Sequence, residues 1–113
     1  MLIGGNGNDN LIGGSGNDRI VGSKGNDKMR GSGGADDFIF KGKFGRDVIR
    51  DFNALNDKED IDLSGVKPIK NFRDLSNSHM SQDGNDVLIE AGTNKIVLKS
   101  VDMSELDASD FLF

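Results

Sequence analysis

Four aspartates stand nine residues apart in this 113-residue chain: Asp9, Asp18, Asp27 and Asp36. Each follows a five-residue run of Gly, Asn and Ser, broken by Lys24 in the third and Ala35 in the fourth, that offers little except backbone. Gly tolerates φ > 0 without a Cβ clash, so such runs can turn their carbonyl oxygens inward. Carboxylates brought together there repel one another unless a cation lies between them. Two carboxylates plus several carbonyls form an all-oxygen site, which suits Ca²⁺ better than Mg²⁺, with its stricter octahedron. Other chemistries find little support. There is no cysteine and one histidine, His79, which excludes disulfides and cysteine- or multi-histidine zinc sites. Phosphate-cradling and EF-hand spacings are missing, as is any nucleophile, base and orienting group that could work as a set.

The aspartates belong to a repeat that also fixes its structural frame. Four nine-residue units begin at Gly4, Gly13, Gly22 and Gly31, with Gly at the first and fourth place of each and Asp at the sixth. A large apolar residue recurs at positions 2, 11, 20, 29 and 38. So much glycine rules out helix, at a cost of about 1 kcal/mol per Gly relative to Ala. A six-residue turn followed by a three-residue strand fits, with the central apolar side chain of each strand facing inward. Turns at both strand ends predict a flattened two-sheet solenoid with two repeat units per coil. Leu2, Ile20 and Phe38 then stack in one sheet, and Leu11 and Met29 in the other. Loop 4–9 lies beside 22–27, and loop 13–18 beside 31–36. This pairs Asp9 with Asp27 and Asp18 with Asp36. A flexible linker would not hold Asp and a large apolar residue in register through four units.

Composition divides the chain. Residues 4–36 contain 11 of the 16 glycines, whereas all seven Phe lie beyond them. Charges cancel within residues 1–36, so the net −5 lies in the remainder, 15 acidic against 10 basic residues. Sixteen of the 19 acidic residues are Asp, which points to turns and loops rather than surface helices. Net negative charge argues against a nucleic-acid partner, and no apolar run reaches the roughly 18 residues of a membrane span. Met1-Leu2-Ile3-Gly4 has no basic or hydrophobic leader region, so no cleavable signal is expected.

The unit G-G-x-G-x-D-x-U-x resembles the calcium-binding nonapeptide of RTX (repeats-in-toxin) proteins, over residues 4–39. Gly-Ala-Asp-Asp-Phe-Ile-Phe (34–40), Gly-Arg-Asp-Val-Ile-Arg-Asp-Phe (45–52) and Asp-Ile-Asp-Leu-Ser (60–64) resemble the C-terminal region of serralysin-type proteases and of alginate-epimerase modules. Asp-Phe-Leu-Phe (110–113) is similar to the uncleaved signals read by type I secretion systems. The resemblance implies a calcium between each loop and the loop two units further on. It implies carbonyls from the second and fourth residues of the first loop, carbonyls from the first and third of the later loop, and both Asp. One site is then Gly5, Gly7 and Asp9 with Gly22, Lys24 and Asp27. The other is Gly14, Gly16 and Asp18 with Gly31, Gly33 and Asp36. Ser at 23 and 32 replaces the second Gly without removing a carbonyl. A fifth unit would place Asp at 45, where Gly45 stands. Asp47 or Asp51 is the candidate to complete a third site above Ser23, Gly25 and Asp27; the alternative is a pair of solvated carboxylates beside Arg46 and Arg50.

The expected fold is all-β: a parallel β-roll over residues 1–40, then a mostly β cap over 41–113 with one short helix and a C-terminal secretion signal. Strands are expected at 47–52 and 60–63, a helix at 69–76 after Pro68, and a hairpin of 86–90 with 95–101. Asp102 should cap a helical turn. Phe111-Leu112-Phe113 should end as a strand or docked tail. Asp83-Gly84-Asn85-Asp86 echoes a repeat but reads better as a turn. His79 is expected at the solvated surface, and the Phe residues in the core.

The glycine-rich half has too little apolar surface to offset its ordering entropy, so it should be disordered until Ca²⁺ binds, on the order of 10⁻⁴ to 10⁻³ M. The expected function is a non-enzymatic calcium-dependent folding and secretion module, secreted and extracellular, at the C-terminus of a larger exported protein. The type I secretion apparatus is its expected partner. Repeats that start at residue 4 without a cap suggest that others precede them. Such an uncapped coil edge would be exposed and open to self-association. A second reading is a module binding acidic polysaccharide through Lys24, Lys28 and Arg30, although no Trp or Tyr is present to stack on sugars.

Overall fold

The computed structural model describes residues 1–53 and 59–113. Eleven strands are described: β1 (Leu2–Ile3), β2 (Asn10–Ile12), β3 (Arg19–Val21), β4 (Lys28–Arg30), β5 (Asp37–Lys41), β6 (Arg46–Ile49), β7 (Asp60–Gly65), β8 (Met80–Asp83), β9 (Asp86–Ala91), β10 (Asn94–Leu98) and β11 (Phe111–Leu112). Strands β1 to β7 alternate between two sheets, as six-residue turns require. One sheet runs β1-β3-β5-β7-β11, parallel throughout. The other runs β2-β4-β6-β10-β9-β8, parallel as far as β10 and antiparallel beyond. The fold is thus a β-roll whose two sheets continue into the C-terminal part.

Period-2 alternation sets what the sheets enclose. The middle residue of each roll strand points inward, and these residues stack as Leu2–Ile20–Phe38–Ile61–Phe111 on one side. Leu11–Met29–Ile49–Leu98 stack on the other. Burial deepens along each stack, from a partly exposed Leu2 to fully buried Ile20, Met29, Phe38 and Ile49. Each fully buried side chain of this size contributes roughly 1.5–3 kcal/mol. Phe38 meets Phe52 edge-on at 6.4 Å, which closes the top of the roll against the following segment. Met1, Ile3 and Ile12 at the N-terminal coil remain exposed.

The C-terminal part follows the expected plan with three departures. The helix begins later than Pro68 suggests. Helix α1 covers Phe72–Asp74 and runs on as a π turn over Leu75–His79. Asn71 caps it by accepting from the Asp74 N–H at 2.8 Å, so a side-chain acceptor, and not proline, sets its start. An unforeseen strand, β8, pairs with β9 through a turn at Gly84, so the Asp83–Asp86 segment is a hairpin turn. His79 is not at the solvated surface. It is half-buried, with Nδ1 2.7 Å from the Glu90 carbonyl and Nε2 3.9 Å from Asp74. The hairpin of β9 and β10 is present. Asp102 caps a short turn over Met103–Glu105, and the tail pairs as β11. Among the described residues, no helix is long and apolar enough to cross a membrane.

Candidate metal centre

Stacked coils bring the repeat aspartates together by a regular hydrogen-bond pattern. The Asp9 N–H donates to Asp27 Oδ1 at 2.8 Å, and the Asp18 N–H donates to Asp36 Oδ1 at 2.8 Å. The carbonyls of Asp9 and Asp18 accept from the Lys28 and Asp37 N–H groups, both at 2.8 Å. Asp27 and Asp36 thus each have one carboxylate oxygen committed to the backbone of the coil below. The other is not. Oδ2 of Asp9, Asp18, Asp27, Asp36 and Asp47 is buried and has no hydrogen-bond partner. Five buried carboxylate oxygens without a proton donor are costly, because an uncompensated buried charge loses its hydration with nothing in return.

The first glycine of each unit makes room for that oxygen. A Cβ on Gly4 or Gly13 would come within 2.7 Å of Oδ2 of Asp9 or Asp18, and one on Gly22 within 2.5 Å of Oδ2 of Asp27. Position 31 is equally closed by Asp36. The fourth glycine has a separate reason. Gly25 has φ +107°, and a Cβ there would collide with the Gly7 carbonyl of the coil below. Ser23 and Ser32 take positive φ (71° and 67°) at the second place, where the other units have Gly.

The third ladder position belongs to Asp47. Its Oδ1 accepts from the Asp27 N–H at 2.8 Å, as Asp27 does from Asp9, and the Val48 N–H donates to the Asp27 carbonyl. Ile49 pairs with Met29, so this coil advances two residues further than the repeat coils do. Gly45-Arg46-Asp47 thus stands where Gly25-Asn26-Asp27 stands one coil earlier. Asp47 is fully buried, which overturns its reading as a solvated carboxylate beside Arg46. Asp51 does not share this edge. It lies at the other, accepting from the Gly31 and Ser32 N–H groups at 3.0 and 2.8 Å.

Sequence reasoning missed a second ladder. Asn8 Oδ1 accepts from the Asn26 N–H, Asn17 Oδ1 from Ala35, and Asn26 Oδ1 from Arg46, at 2.8, 2.8 and 2.9 Å. Its signal was present, since Asn holds the fifth place of three units. Glu59 was also missed. It is buried beside β7, and its Oε1 accepts from the Asn53 N–H at 3.0 Å.

The electrostatics agree with the geometry. Burial pushes the Asp47 carboxyl up to about 7 from an ordinary 3.8, and the neighbouring Asp27 charge adds to the shift. Asp27 and Asp36 are raised as well, by burial first and then by Asp9 and Asp18 respectively. Among the described residues, no Lys or Arg forms an ion pair with any of these groups; the Lys ion pairs found are Lys95–Glu90 and Lys99–Asp86. No three acidic or histidine side chains form a ready cage among the described residues. Any metal here must therefore draw on backbone carbonyls, which the Gly loops supply in quantity.

Comparison with known proteins decides the nature of the loops. Residues 3–38 match the RTX calcium-binding nonapeptide repeat in four copies. This segment is an RTX repeat array. RTX nonapeptide repeats bind Ca²⁺, and the oxygen-only donor set with its unpartnered Oδ2 atoms fits that ion. The extracellular lipase LipA from Serratia marcescens has a similar structure, with a TM-score of 0.69 and 25% sequence identity. The likeness covers 97% of this chain, roll and C-terminal part together, but only 20% of the lipase. No curated protein matches the chain.

Proposed function

We propose that the chain is the calcium-triggered folding module of a larger exported protein and is not itself catalytic. The observation that carries this is the ladder of five buried, unpartnered Oδ2 atoms inside glycine loops. In this reading one Ca²⁺ is held by the Gly5, Gly7, Gly22 and Lys24 carbonyls with Asp9 and Asp27. A second is held by those of Gly14, Gly16, Gly31 and Gly33 with Asp18 and Asp36. A third lies between the loop of Ser23, Gly25 and Asp27 and the coil that supplies Asp47. Without metal the aspartates repel and the Gly loops keep their entropy. With it, residues 1–40 set as a roll on the template of residues 41–113. Such a chain stays loose at cytosolic calcium, passes a type I secretion channel, and folds outside; an extracellular lipase of similar structure supports that setting. Far-UV circular dichroism in chelator and in millimolar Ca²⁺ tests the reading. Identical spectra would overturn it.

One observation favours acidic polysaccharide as a further ligand. The outer face of β4-β6-β10-β9 forms a hollow of about 500 Å³ lined by Lys28, Arg46, Arg50, Lys95 and Lys99 together with Asp83 and Asp86; Lys99 is paired with Asp86 and Lys95 with Glu90, which leaves Lys28, Arg46 and Arg50 to face an anionic ligand. Val48, Val97 and Leu88 lie side by side along its floor. Of the expected basic residues only Lys28 lines this hollow; Lys24 borders a smaller one near Lys41 and Lys43. Calorimetric titration with a polyuronate at low salt checks it, and absence of heat would leave calcium as the ligand.

A further inference from the structure

Lysine stands in only one of the four repeat loops. Lys24 holds the third place of its unit, where the others have Asn6, Ser15 and Gly33. The calcium reading uses its carbonyl, so nothing in that reading calls for a cationic side chain there. Two more lysines come to the same corner of the sheet β1-β3-β5-β7-β11. The register of β5 on β7 shifts between Ile39 and Lys41, as at a β-bulge, and the chain then turns through Gly42, at φ 64°, to Lys43. Such irregularities re-aim the side chains beside them. Lys24, Lys41 and Lys43 border one hollow of about 200 Å³.

The floor of this hollow is apolar although it lies on the outside of the roll. Ile3, Val21 and Ile39 are neighbours across β1, β3 and β5, and alternate with the inward row Leu2, Ile20 and Phe38. Ile3 is 60% exposed, as an outward residue of an edge strand should be, but Val21 is only 8% exposed. Val21 thus lies at the bottom of a depression, with Ile39 beside it and the buried Phe44 beyond. The three lysines are exposed, and none forms an ion pair among the described residues. Asp62, the carboxylate next to Ile39 in register, accepts from the Ser64 N–H and hydroxyl at 2.9 and 2.6 Å and does not line the hollow. Three like charges around an apolar depression repel one another unless an anion joins them. Lysine stems can lie along the apolar body of such a ligand while the ammonium groups meet its charge.

We propose that this hollow binds a small apolar carboxylate, its hydrocarbon body on Val21, Ile39 and Phe44 and its charge among the ammonium groups of Lys24, Lys41 and Lys43. The volume is below the roughly 300–1,000 Å³ of sites for larger ligands, which sets the size at a short acyl chain or a small aromatic acid. Lysines act as point charges, and among the described residues no Arg lines the hollow to clasp a planar group bidentately. A polyuronate has no comparable apolar body and belongs to the other hollow. Ser23 and Lys24 lie in loop 22–27, which holds calcium in the reading proposed above. One wall is then set only when calcium is bound. Ligand binding should therefore require the ion, and the ligand should in turn tighten calcium by the same factor. That coupling rests on the calcium reading; the hollow and its chemistry do not.

The probe is naphthylacetate, read by its own fluorescence against a chain without Trp or Tyr, with NMR shifts of the protein to place it. In about 10 mM Ca²⁺, above the Kd range of extracellular calcium modules, it should shift Val21, Ile39 and Phe44. Its Kd should be on the order of 10⁻³ M, ordinary for a ligand of this size. Lys41→Gln combined with Lys43→Gln should weaken it by roughly 2- to 25-fold, from roughly 1.5- to 5-fold per exposed charge. Lys70→Gln, on another part of the surface, should leave it unchanged, and chelator should abolish it. Shifts centred on Val48 and Val97 instead, or full affinity in the double lysine variant, overturn the site. Equal affinity with and without calcium, in a chain whose circular dichroism responds to the ion, overturns the coupling. If the circular dichroism does not respond, the calcium reading alone fails, and the shifts at Val21 and Ile39 decide the site by themselves.

Discussion

Replacing Asp47 by Asn should change the protein in opposite directions with and without calcium. Asp47 Oδ1 accepts from the Asp27 N–H, and Asn can keep that bond. What Asn removes is the charge shared with Oδ2, which is buried and unpartnered. In chelator the wild-type carboxyl is pushed from 3.8 to about 7 by burial. That difference of roughly 3 units, at 1.36 kcal/mol each, opposes the folded, metal-free state by roughly 4 kcal/mol at neutral pH and above. The variant escapes this and should be the more stable protein in chelator. In calcium the order reverses. A site with Kd on the order of 10⁻⁴ to 10⁻³ M contributes roughly 1.4–2.7 kcal/mol at about 10 mM Ca²⁺, and a variant lacking one charged ligand forfeits most of it. The assay is urea unfolding followed by far-UV circular dichroism, for both proteins under both conditions. The calcium-induced increment in stability should shrink by about that amount in the variant, and its strand signal in chelator should rise. Equal destabilisation under both conditions would show Asp47 to be only a hydrogen-bonded strut and refute the reasoning.

Other consequences follow from the same geometry. Gly25→Ala places a methyl against the Gly7 carbonyl at φ +107°, and should cost about 3 kcal/mol or more of the calcium-bound fold, read as a lowered unfolding midpoint. Ser23→Gly and Ser32→Gly relieve positive φ at equivalent places and should each stabilise the calcium form by roughly 0.5–1 kcal/mol, with the same calcium count. Asn26→Ala removes the acceptor for the Arg46 N–H and should cost roughly 1 kcal/mol, raising the calcium midpoint without lowering the number of ions bound. For pH, the sign comes from the raised folded-state pKa of Asp47, with Asp27, Asp36 and Glu59 shifted the same way. The metal-free fold holds these protons more tightly than the unfolded chain, so its stability increases as pH falls from about 7 towards 3.8 and is lost as pH rises through that window. Calcium must displace the same protons. Its apparent affinity should therefore fall below pH 7, by up to about tenfold per unit for a single group, and a flat calorimetric pH profile would contradict this.

The parts of the molecule legible in the sequence share one cause, strict periodicity. With Asp at the sixth place of every unit and an apolar residue in phase, hydrogen bonding and burial leave one arrangement: strands alternating between sheets, and like residues stacked two units apart. The Leu2–Ile20–Phe38 and Leu11–Met29 stacks are present in that register. The Asp9–Asp27 and Asp18–Asp36 contacts follow from it. Legibility stopped where the period did. Gly45-Arg46-Asp47 performs the work of a repeat turn, but two extra residues move its Asp from the expected position 45, so spacing alone left Asp47 level with Asp51. Glu59 was hidden twice, by a step along the chain longer than the repeat's and by its extra methylene. The helix start depended on whether Asn71 or Pro68 met the right backbone, and it is Asn71 that does, through its bond from the Asp74 N–H.

These irregular residues explain how a regular array can end. A stack of identical coils presents the same unpaired N–H groups, carbonyls and half-filled ion sites at its last turn as at every turn before. The last repeat aspartates, Asp27 and Asp36, each find an acidic residue beyond the period on the same edge: Asp47 above one, Asp51 with Glu59 above the other. Both irregular coils also extend the sheets, Val48 and Asp60 accepting the places that further repeats would take. Beyond them β10 and β11 cover the strand edges with backbone partners and bring no further aspartate ladder. The buried carboxylate ladder and edge protection thus end at different coils. In the proposed reading the ion sites run as far as Asp47, and the hydrophobic stack runs further still, through Leu98 and Phe111. If the proposed reading holds, calcium bound at the last sites joins a segment that needs the ion to one with its own buried core, and order in the repeats should spread from that boundary towards Leu2.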